Sequence, residues 1–330
     1  MEQATDIPGE GAGVAEAAPA SYLMGQARSR RQWAADAALL LVTLVWGATF
    51  VMVKDAVAEF PVFSFMAIRF ALAAIALAPF AFWQMRRAAP PSDQIRPIRS
   101  ISSISVLFPS LLVGFALFTG YAFQTAGLNL TTPAKAGFIT GLSVVFVPVA
   151  AAMFLRQRIS GKAWLGVGLA TAGLALLSLT AAFTIQRGDL LVMGCALAFA
   201  AQILLLGHYA PRHNPLLLAL GQIATVAALS AVAALIFDPR MSIPPRVLFA
   251  AAFTGVLATA LAFAVQTIAQ RFTTSTHTAL IFAAEPVFAG LFSLLLIGEA
   301  LGPRQLLGCA LILGGMLVAE LKRKQLTVQP

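Results

Sequence analysis

The stretch AAEPVFAGLFSLLLIGEALGPRQLLGCALILGGM, residues 283–316, decides the fold. It holds two apolar runs separated by a short segment with glycine, proline and charge, a pattern typical of two membrane helices and the turn between them. Glu285 and Pro286 lie near the beginning of the first run. A carboxylate within a bilayer is costly, and proline interrupts helices. This pair therefore marks a special position inside a membrane segment.

The composition of the whole chain points to the same class of protein. Of the 330 residues, 59% are hydrophobic and 11% are charged, whereas a soluble domain carries about 25% charged residues. The sequence therefore predicts a polytopic membrane protein. Its net charge of +9 is explained by basic loops on one side of a bilayer, so we predict no nucleic-acid partner. Cys195 and Cys309 lie in apolar runs and are interpreted as packing residues.

Ten segments are predicted to form membrane helices, since a crossing helix needs about 20 apolar residues. They are residues 36–53, 61–83, 104–128, 135–155, 162–182, 189–207, 215–237, 246–270, 276–297 and 304–320.

The two ends of the chain differ from the rest in composition. Residues 1–35 are rich in Ala, Gly and Glu without apolar periodicity, which predicts a disordered cytoplasmic tail. Its basic cluster lies too late for a secretory signal. Residues 322–330 form a basic tail, and most Lys and Arg residues fall on the side of the two termini if the loops alternate. The positive-inside rule therefore predicts that both termini are cytoplasmic.

An internal repeat relates the two halves of the chain. When the chain is aligned with itself so that Gln124 meets Gln266, LGVGLATAG (165–173) meets LGCALILGG (307–315). We call this pairing the repeat alignment, and we divide the chain into repeats of five helices at 36–183 and 184–321. Because five is an odd number, the second repeat enters the membrane from the opposite side, and transporters built in this way bind substrate between their repeats.

The stretch EPVFAGLFSLLLIGEALGPRQLLGCALILGGM resembles the signature of the drug/metabolite transporter superfamily in its EamA-type branch. WGATFVMVK in the first segment and FMAIRF in the second, with Arg69, are also similar to that family. The resemblance implies an all-α membrane protein of ten helices in two inverted repeats that exports metabolites, amino acids or drugs across the bacterial inner membrane. This chain departs from the family pattern at Arg156-Gln157-Arg158, and Ser143 stands where the second repeat has Glu285. The charge chemistry of the site is therefore expected from the second half.

Two charges lie well inside predicted helices, far from their ends, and are candidate functional groups. Glu285 could carry a proton, pair with a substrate amine, or cap a helix near the break at Pro286. Arg69 could line a cavity or act in gating, but a structural role, bonded to backbone carbonyls, is favoured.

The other candidate site residues are amides and aromatic rings within the segments. Amides in membrane helices bond across helices or line a wet cavity, and aromatic rings supply flat apolar walls to a pocket or pack against neighbours and lipid. The candidate substrate-binding set is Trp46, Tyr121, Gln124, Phe138, Gln202, Gln266, Phe282 and Glu285. Pro148 and Pro286 are predicted hinges in the fourth and ninth helices. Small residues of the fifth and tenth helices are predicted to allow close helix approach, namely Gly166, Ala170, Gly173, Gly308, Gly314 and Gly315.

Two classes of function fit a membrane protein of this kind. The sequence has no Walker-type loop, HExxH motif or GxSxG motif, which favours a secondary transporter over an ATP-driven pump or an intramembrane enzyme. We predict export of small, mainly apolar metabolites, with hydrophobic and aromatic amino acids favoured. The alternative is a proton-coupled exporter of lipophilic cations. Neither interpretation requires a cofactor, a metal or catalytic residues, and the sequence leaves the coupling ion and the oligomeric state open.

Overall fold

The computed structural model describes residues 20–87, 103–128, 130–131, 133–178, 186–298 and 301–320. Within these ranges the chain is helical and contains no β-strand. The helices are α1 (Ala20–Glu59), α2 (Val62–Arg87), α3 (Ser103–Leu128), α4 (Pro133–Gly141), α5 (Ser143–Phe154), α6 (Gly161–Ser178), α7 (Arg187–Tyr209), α8 (Pro215–Phe237), α9 (Pro245–Thr254), α10 (Ala262–Ala269), α11 (Ser275–Phe282), α12 (Glu285–Ile297) and α13 (Pro303–Glu320). A π-helical segment, Gly255–Leu261, joins α9 to α10.

Among the described residues, eight helices are long and apolar enough to cross a membrane. They correspond in order to the first eight predicted segments, with α4 and α5 together forming the fourth and α9 to α10 forming the eighth. The last two predicted segments are shorter, because α11 and α12 are separated by a turn and the apolar part of α13 is Pro303–Ala319. The protein is thus a multi-pass, all-helical membrane protein.

The first helix begins before the predicted boundary between the tail and the first repeat. Because α1 starts at Ala20, residues 20–35 are helical, and the prediction of disorder does not hold for that part of the tail. Residues 1–19 and the basic tail 322–330 lie outside the described residues.

Two of the membrane segments are interrupted near their middle. The fourth breaks at Leu142, between α4 and α5, and the ninth breaks at Ala283–Ala284, between α11 and α12. The repeat alignment places Leu142 on Ala284. Each break therefore starts a new half-helix inside the apolar zone.

The prolines occupy different positions relative to these breaks. Pro286 is the second residue of α12, where the missing N–H has no helical partner to lose. Pro148 lies inside α5, beyond the break at Leu142, so the interruption of the fourth segment is not located at the proline. At the far end of α12, Gly298 adopts a left-handed conformation with φ of 74° and ends the helix.

Helices α6 and α13 cross in close contact through glycines. A Cβ atom on Gly166 would lie 2.6 Å from the carbonyl oxygen of Gly315, and one on Gly173 would lie 2.5 Å from that of Gly308. The predicted close approach is confirmed at these four glycines. A Cβ atom on Gly314 would have no neighbour within 4 Å, so this glycine takes no part in the crossing.

The centre of the molecule is formed by packing of α2, α3, α7, α8 and α10. Its core includes Met66, Phe70, Leu117, Ile223 and Phe263, all buried. Large apolar side chains on the outer surface of these helices are exposed, as lipid-facing residues are in a membrane protein. Examples are Phe80, Phe82, Leu111, Leu235 and Phe237.

Candidate functional site

Aromatic rings from six helices form a continuous row through the centre of the protein. The first link is between Phe282 and Trp46, whose ring centroids are 4.9 Å apart. The remaining links have centroid distances of 5.8, 6.4, 5.4 and 5.4 Å. In order along the row, the members are Phe282 (α11), Trp46 (α1), Phe263 (α10), Phe70 (α2), Tyr121 (α3) and Phe199 (α7). We refer to these six residues as the aromatic row. It draws on both halves of the chain.

Trp46 is held in one orientation by its neighbours. Its indole Nε1 donates a hydrogen bond of 2.8 Å to the carbonyl oxygen of Ala258 in the π-helical segment. The next residue, Gly47, lies directly against the start of α12, because a Cβ atom there would be 2.8 Å from the backbone nitrogen of Ala289 and 3.1 Å from the carbonyl oxygen of Glu285. The Trp-Gly pair therefore places a rigid ring beside the break in the ninth segment.

Arg69 enters the same region from α2. Its side chain is 5% exposed, and its Nε donates a 2.8 Å hydrogen bond to the hydroxyl oxygen of Thr259. That hydroxyl in turn donates to the carbonyl oxygen of Thr254 at 3.1 Å. The guanidinium also interacts with the hydroxyl of Tyr121, and its central carbon lies 5.8 Å from the centroid of that ring. Among the described residues, no acidic side chain forms an ion pair with Arg69.

Glu285 is the first residue of α12 and is half-buried. Its carboxylate is close enough to the Tyr121 hydroxyl and the Cys195 thiol to interact electrostatically with both. A carboxylate at a helix N-terminus is stabilised by the helix dipole and by the free N–H groups of the first turn. In the part of the chain that the structure describes, its side chain has neither a hydrogen bond nor an ion pair.

The buried amides form a separate group on the side of the predicted cytoplasmic end. Gln202 donates to Gln222 at 3.1 Å, and Gln266 donates to Gln202 at 3.3 Å and to Gln270 at 3.2 Å. Gln222 donates to the hydroxyl of Thr267 at 3.2 Å. All are 3% exposed or less, so this glutamine cluster joins α7, α8 and α10 as packing. The structure therefore places Gln202 and Gln266 in a helix-to-helix network.

Gln124 and Phe138 occupy less enclosed positions. Gln124 is half-buried on α3, one turn beyond Tyr121, and is not part of the glutamine cluster that contains Gln266. Phe138 is half-buried on α4 and packs against the apolar core that α6, α11 and α13 share. Of the predicted binding residues, the structure thus brings together Trp46, Tyr121, Phe282 and Glu285, with Arg69 beside them.

Sequence reasoning missed three rings of the row and the threonine that bonds Arg69. Phe70 directly follows Arg69 in FMAIRF, which was a usable signal. Phe263 also carried one, because the repeat alignment pairs it with the candidate Tyr121. The repeat alignment does not mark Phe199 or Thr259, and apolar segments contain many such residues. Within the described ranges, no group of three or more His, Cys, Asp and Glu residues could hold a metal ion.

A buried histidine and aspartate form a pair at the predicted cytoplasmic end. His277 Nε2 on α11 is 3.4 Å from Asp36 Oδ2 on α1, and both side chains are about nine-tenths buried. Asp36 is an acidic residue inside a predicted membrane segment, so the sequence marks it as a candidate functional residue. The predicted set of site residues does not include it. The pair ties α1 to α11 below the aromatic row.

We expect His277→Leu to loosen this end of the molecule. Removing one partner of a buried pair takes away an interaction that compensates for the burial of the other. A cysteine introduced by Ala269→Cys, at a buried position nearby, should then react with a maleimide about fivefold faster, which corresponds to about 1 kcal/mol. The measurement is the labelling rate in a background lacking Cys195 and Cys309. The matched control is His208→Leu, an exposed histidine on α7; equal rates in both variants would contradict a closing role for the pair.

Comparison with known proteins agrees with this architecture. The EamA-like transporter family model matches the chain twice, at residues 33–179 and 186–320. An uncharacterized transporter of Archaeoglobus fulgidus is 33% identical over 299 residues, covering 90% of this chain and 89% of that protein. Solute carrier family 35 member F6 of Rattus norvegicus is 23% identical over 148 residues, covering 42% of this chain and 39% of that protein.

A solved crystal structure has the same fold. It superposes with a TM-score of 0.70 at 21% identity and covers 85% of this chain and 94% of the solved one. Such a likeness shows the fold alone. The family, in contrast, follows from the two matches that together span most of the chain. The protein belongs to the EamA-like transporter family, and so to the drug/metabolite transporter superfamily.

Proposed function

We propose that this protein is a secondary transporter that exports small, mainly apolar metabolites, with hydrophobic and aromatic amino acids favoured. The observation that carries the proposal is the aromatic row, which six helices from both halves build beside Glu285 and Arg69. Flat rings bind apolar side chains well, and two charges without an ion-pair partner among the described residues are suited to the polar groups of a small substrate. Membership of a transporter family supports transport over catalysis.

The proposed architecture is ten membrane helices in two inverted repeats. Three observations support it. The family model matches each half separately. The two helix breaks lie at positions that the repeat alignment pairs. The glycine contacts at the α6–α13 crossing are reciprocal, since the repeat alignment exchanges Gly166 with Gly308 and Gly173 with Gly315.

The proposed mechanism is alternating access around a site near the middle of the membrane. Residues 275–281 of α11, on the predicted cytoplasmic side of the break, are all buried. Residues 285–290 of α12, on its other side, are only half-buried. The glutamine cluster and the Asp36–His277 pair close the same predicted cytoplasmic end. This asymmetry supports a conformation closed toward the predicted cytoplasmic end. From the positive-inside rule and the family resemblance, we place both termini on that side of a bacterial inner membrane.

The experiment that tests the function measures flux in proteoliposomes. Purified protein is reconstituted, labelled phenylalanine or leucine is loaded inside, and release is followed with and without a pH gradient. We expect release well above that of protein-free vesicles, with the solute chemically unchanged. Conversion of the solute to a product would point to an enzyme, and absence of release for every amino acid tested would overturn the proposed substrate class.

An alternative substrate class is a lipophilic cation exchanged for protons. The half-buried Glu285 favours it, because this carboxylate interacts electrostatically with Tyr121, a member of the aromatic row, and could pair with a cation. Release of a quaternary ammonium dye from the same vesicles, driven by a pH gradient, would support this alternative over amino-acid export.

A further inference from the structure

We propose that Arg69, held by Thr259 and facing Tyr121, binds the carboxylate of the transported amino acid. This inference rests on the proposed function and extends it to the group of the substrate that is recognised. It assigns Arg69 a direct role in binding, and Thr259 the role of a positioning residue.

Arg69 is a buried cation that no carboxylate of the described residues neutralises. Arg69 as a whole is 5% exposed and lies within a membrane segment. A buried cation is costly unless an anion and hydrogen bonds compensate for lost water. Among the described residues, its side chain donates to the neutral hydroxyl of Thr259 and lies against the rings of Phe70 and Tyr121, and no carboxylate forms an ion pair with it. A substrate anion would supply the missing compensation.

The guanidinium of Arg69 is oriented so that its terminal amino groups can bind a carboxylate. Thr259 accepts from Nε, so this nitrogen is committed to the π-helical segment. An arginine whose Nε is occupied still offers its two terminal amino groups, and these match the two oxygens of a carboxylate in a fork. The Tyr121 ring lies 5.8 Å from the guanidinium carbon and belongs to the aromatic row, so the fork lies at the edge of the proposed binding region.

The π-helical segment holds Arg69 rigidly. The π-helical segment contacts Arg69 at two places: a Cβ atom on Gly255 would lie 2.8 Å from the Arg69 carbonyl oxygen, and Thr259 bonds the side chain. The Thr259 hydroxyl donates to the Thr254 carbonyl, a contact between positions that the π-helical turn brings together. With its proton committed there, the hydroxyl can only accept from Arg69. One short segment thus fixes both the backbone and the side chain of the arginine.

The proposal predicts a preference that the cation alternative does not share. Arg69 should favour substrates that have a carboxylate over substrates in which the carboxylate is absent or replaced by a neutral group. Phenylalanine, phenylalaninamide and phenethylamine share a ring and an amine and differ at this group, so they serve as probes. Binding to the purified full chain is measured by titration calorimetry, and flux is measured in proteoliposomes.

We expect phenylalanine to bind at least about tenfold more tightly than its amide, given the strength of charged hydrogen bonds. In Arg69→Gln, the ratio of the dissociation constants of the amide and of phenylalanine should fall to about one, while amide binding stays nearly unchanged. Thr259→Val should lower the ratio by raising the KM for phenylalanine more than it changes the maximal rate, and Arg69→Lys should restore part of it. Arg246→Gln is the matched control, because Arg246 is an exposed arginine whose guanidinium lies 2.5 Å from the carboxylate of Glu59.

The outcomes separate this proposal from the function on which it rests. Equal binding of phenylalanine and its amide to the unaltered protein, or an unchanged ratio in Arg69→Gln, overturns the carboxylate site even if amino acids are transported. Binding that depends on Arg69 without any flux overturns the proposed export and leaves the site standing. If Arg69→Gln does not fold, the ratio in Thr259→Val decides, and an unchanged ratio there counts against the proposal.

Discussion

Replacing Gly315 by leucine is expected to destabilise the fold strongly, whereas the same change at Gly314 is expected to be tolerated. The two residues are neighbours on α13, so they share local helix propensity. A side chain at Gly315 would meet the carbonyl oxygen of Gly166 at 2.6 Å and the backbone nitrogen of Ala170 at 3.1 Å, and backbone atoms cannot move aside as a flexible side chain can. At Gly314 there is open space.

The expected size of the difference follows from the cost of overpacking. Forcing a large side chain into a packed contact costs about 1–3 kcal/mol or more, and here α6 and α13 would have to separate along their length. An exposed substitution usually costs no more than about 0.5 kcal/mol. The measurement is the unfolding midpoint of each purified variant in mixtures of mild detergent and dodecyl sulfate. Gly166→Leu and Gly168→Leu on α6 form a second matched pair, because Gly168 also has open space around it. Similar midpoints within both pairs would contradict the glycine crossing.

Glu285→Gln is expected to lower the efficiency of transport of amines and amino acids by roughly 30-fold or more. Removing one charge of a buried pair costs about 2–5 kcal/mol, and a substrate amine beside Tyr121 would lose its counter-charge. The amide has nearly the shape of the carboxylate, so the change removes charge without creating a cavity. The measurement is the ratio of maximal rate to KM in proteoliposomes.

Two further variants isolate the role of the charge. Glu285→Asp retains it and should recover part of the efficiency. Ser143→Ala alters the first residue of α5, which the repeat alignment pairs with Glu285, and should have little effect. Unchanged transport in Glu285→Gln would assign the carboxylate to the helix N-terminus alone and would remove the main support for cation export.

The periodic part of this architecture could be predicted from the sequence. The length of each apolar run indicates the order and approximate ends of the membrane segments, because every helix that crosses a bilayer needs about 20 apolar residues. The glycines of α6 and α13 could be predicted too, since small residues at a helix crossing leave a regular pattern. The break before Glu285 was expected from the proline beside it.

The contents of the site were harder to predict. Gln202 and Gln266 have the polarity of binding residues, but their amides find each other inside the protein. Which role an amide takes depends on the helix opposite to it, and one sequence does not give that neighbour. The π-helical segment was also not foreseen, because the residues that bond to it, Trp46 and Arg69, come from other helices that one segment of sequence does not reveal.

That π-helical segment has a consequence for the energetics of the transport cycle. Its counterpart in the repeat alignment, 113–119, lies in the continuous α-helix α3. Two identical inverted halves would make the inward-open and outward-open conformations equal in free energy, so each would be populated to the same extent. Here only one half anchors a tryptophan and an arginine on a π turn. In the proposed mechanism, this inequality makes one conformation of the empty carrier more populated than the other. The binding site therefore opens mainly toward one side of the membrane before any substrate or gradient acts on it.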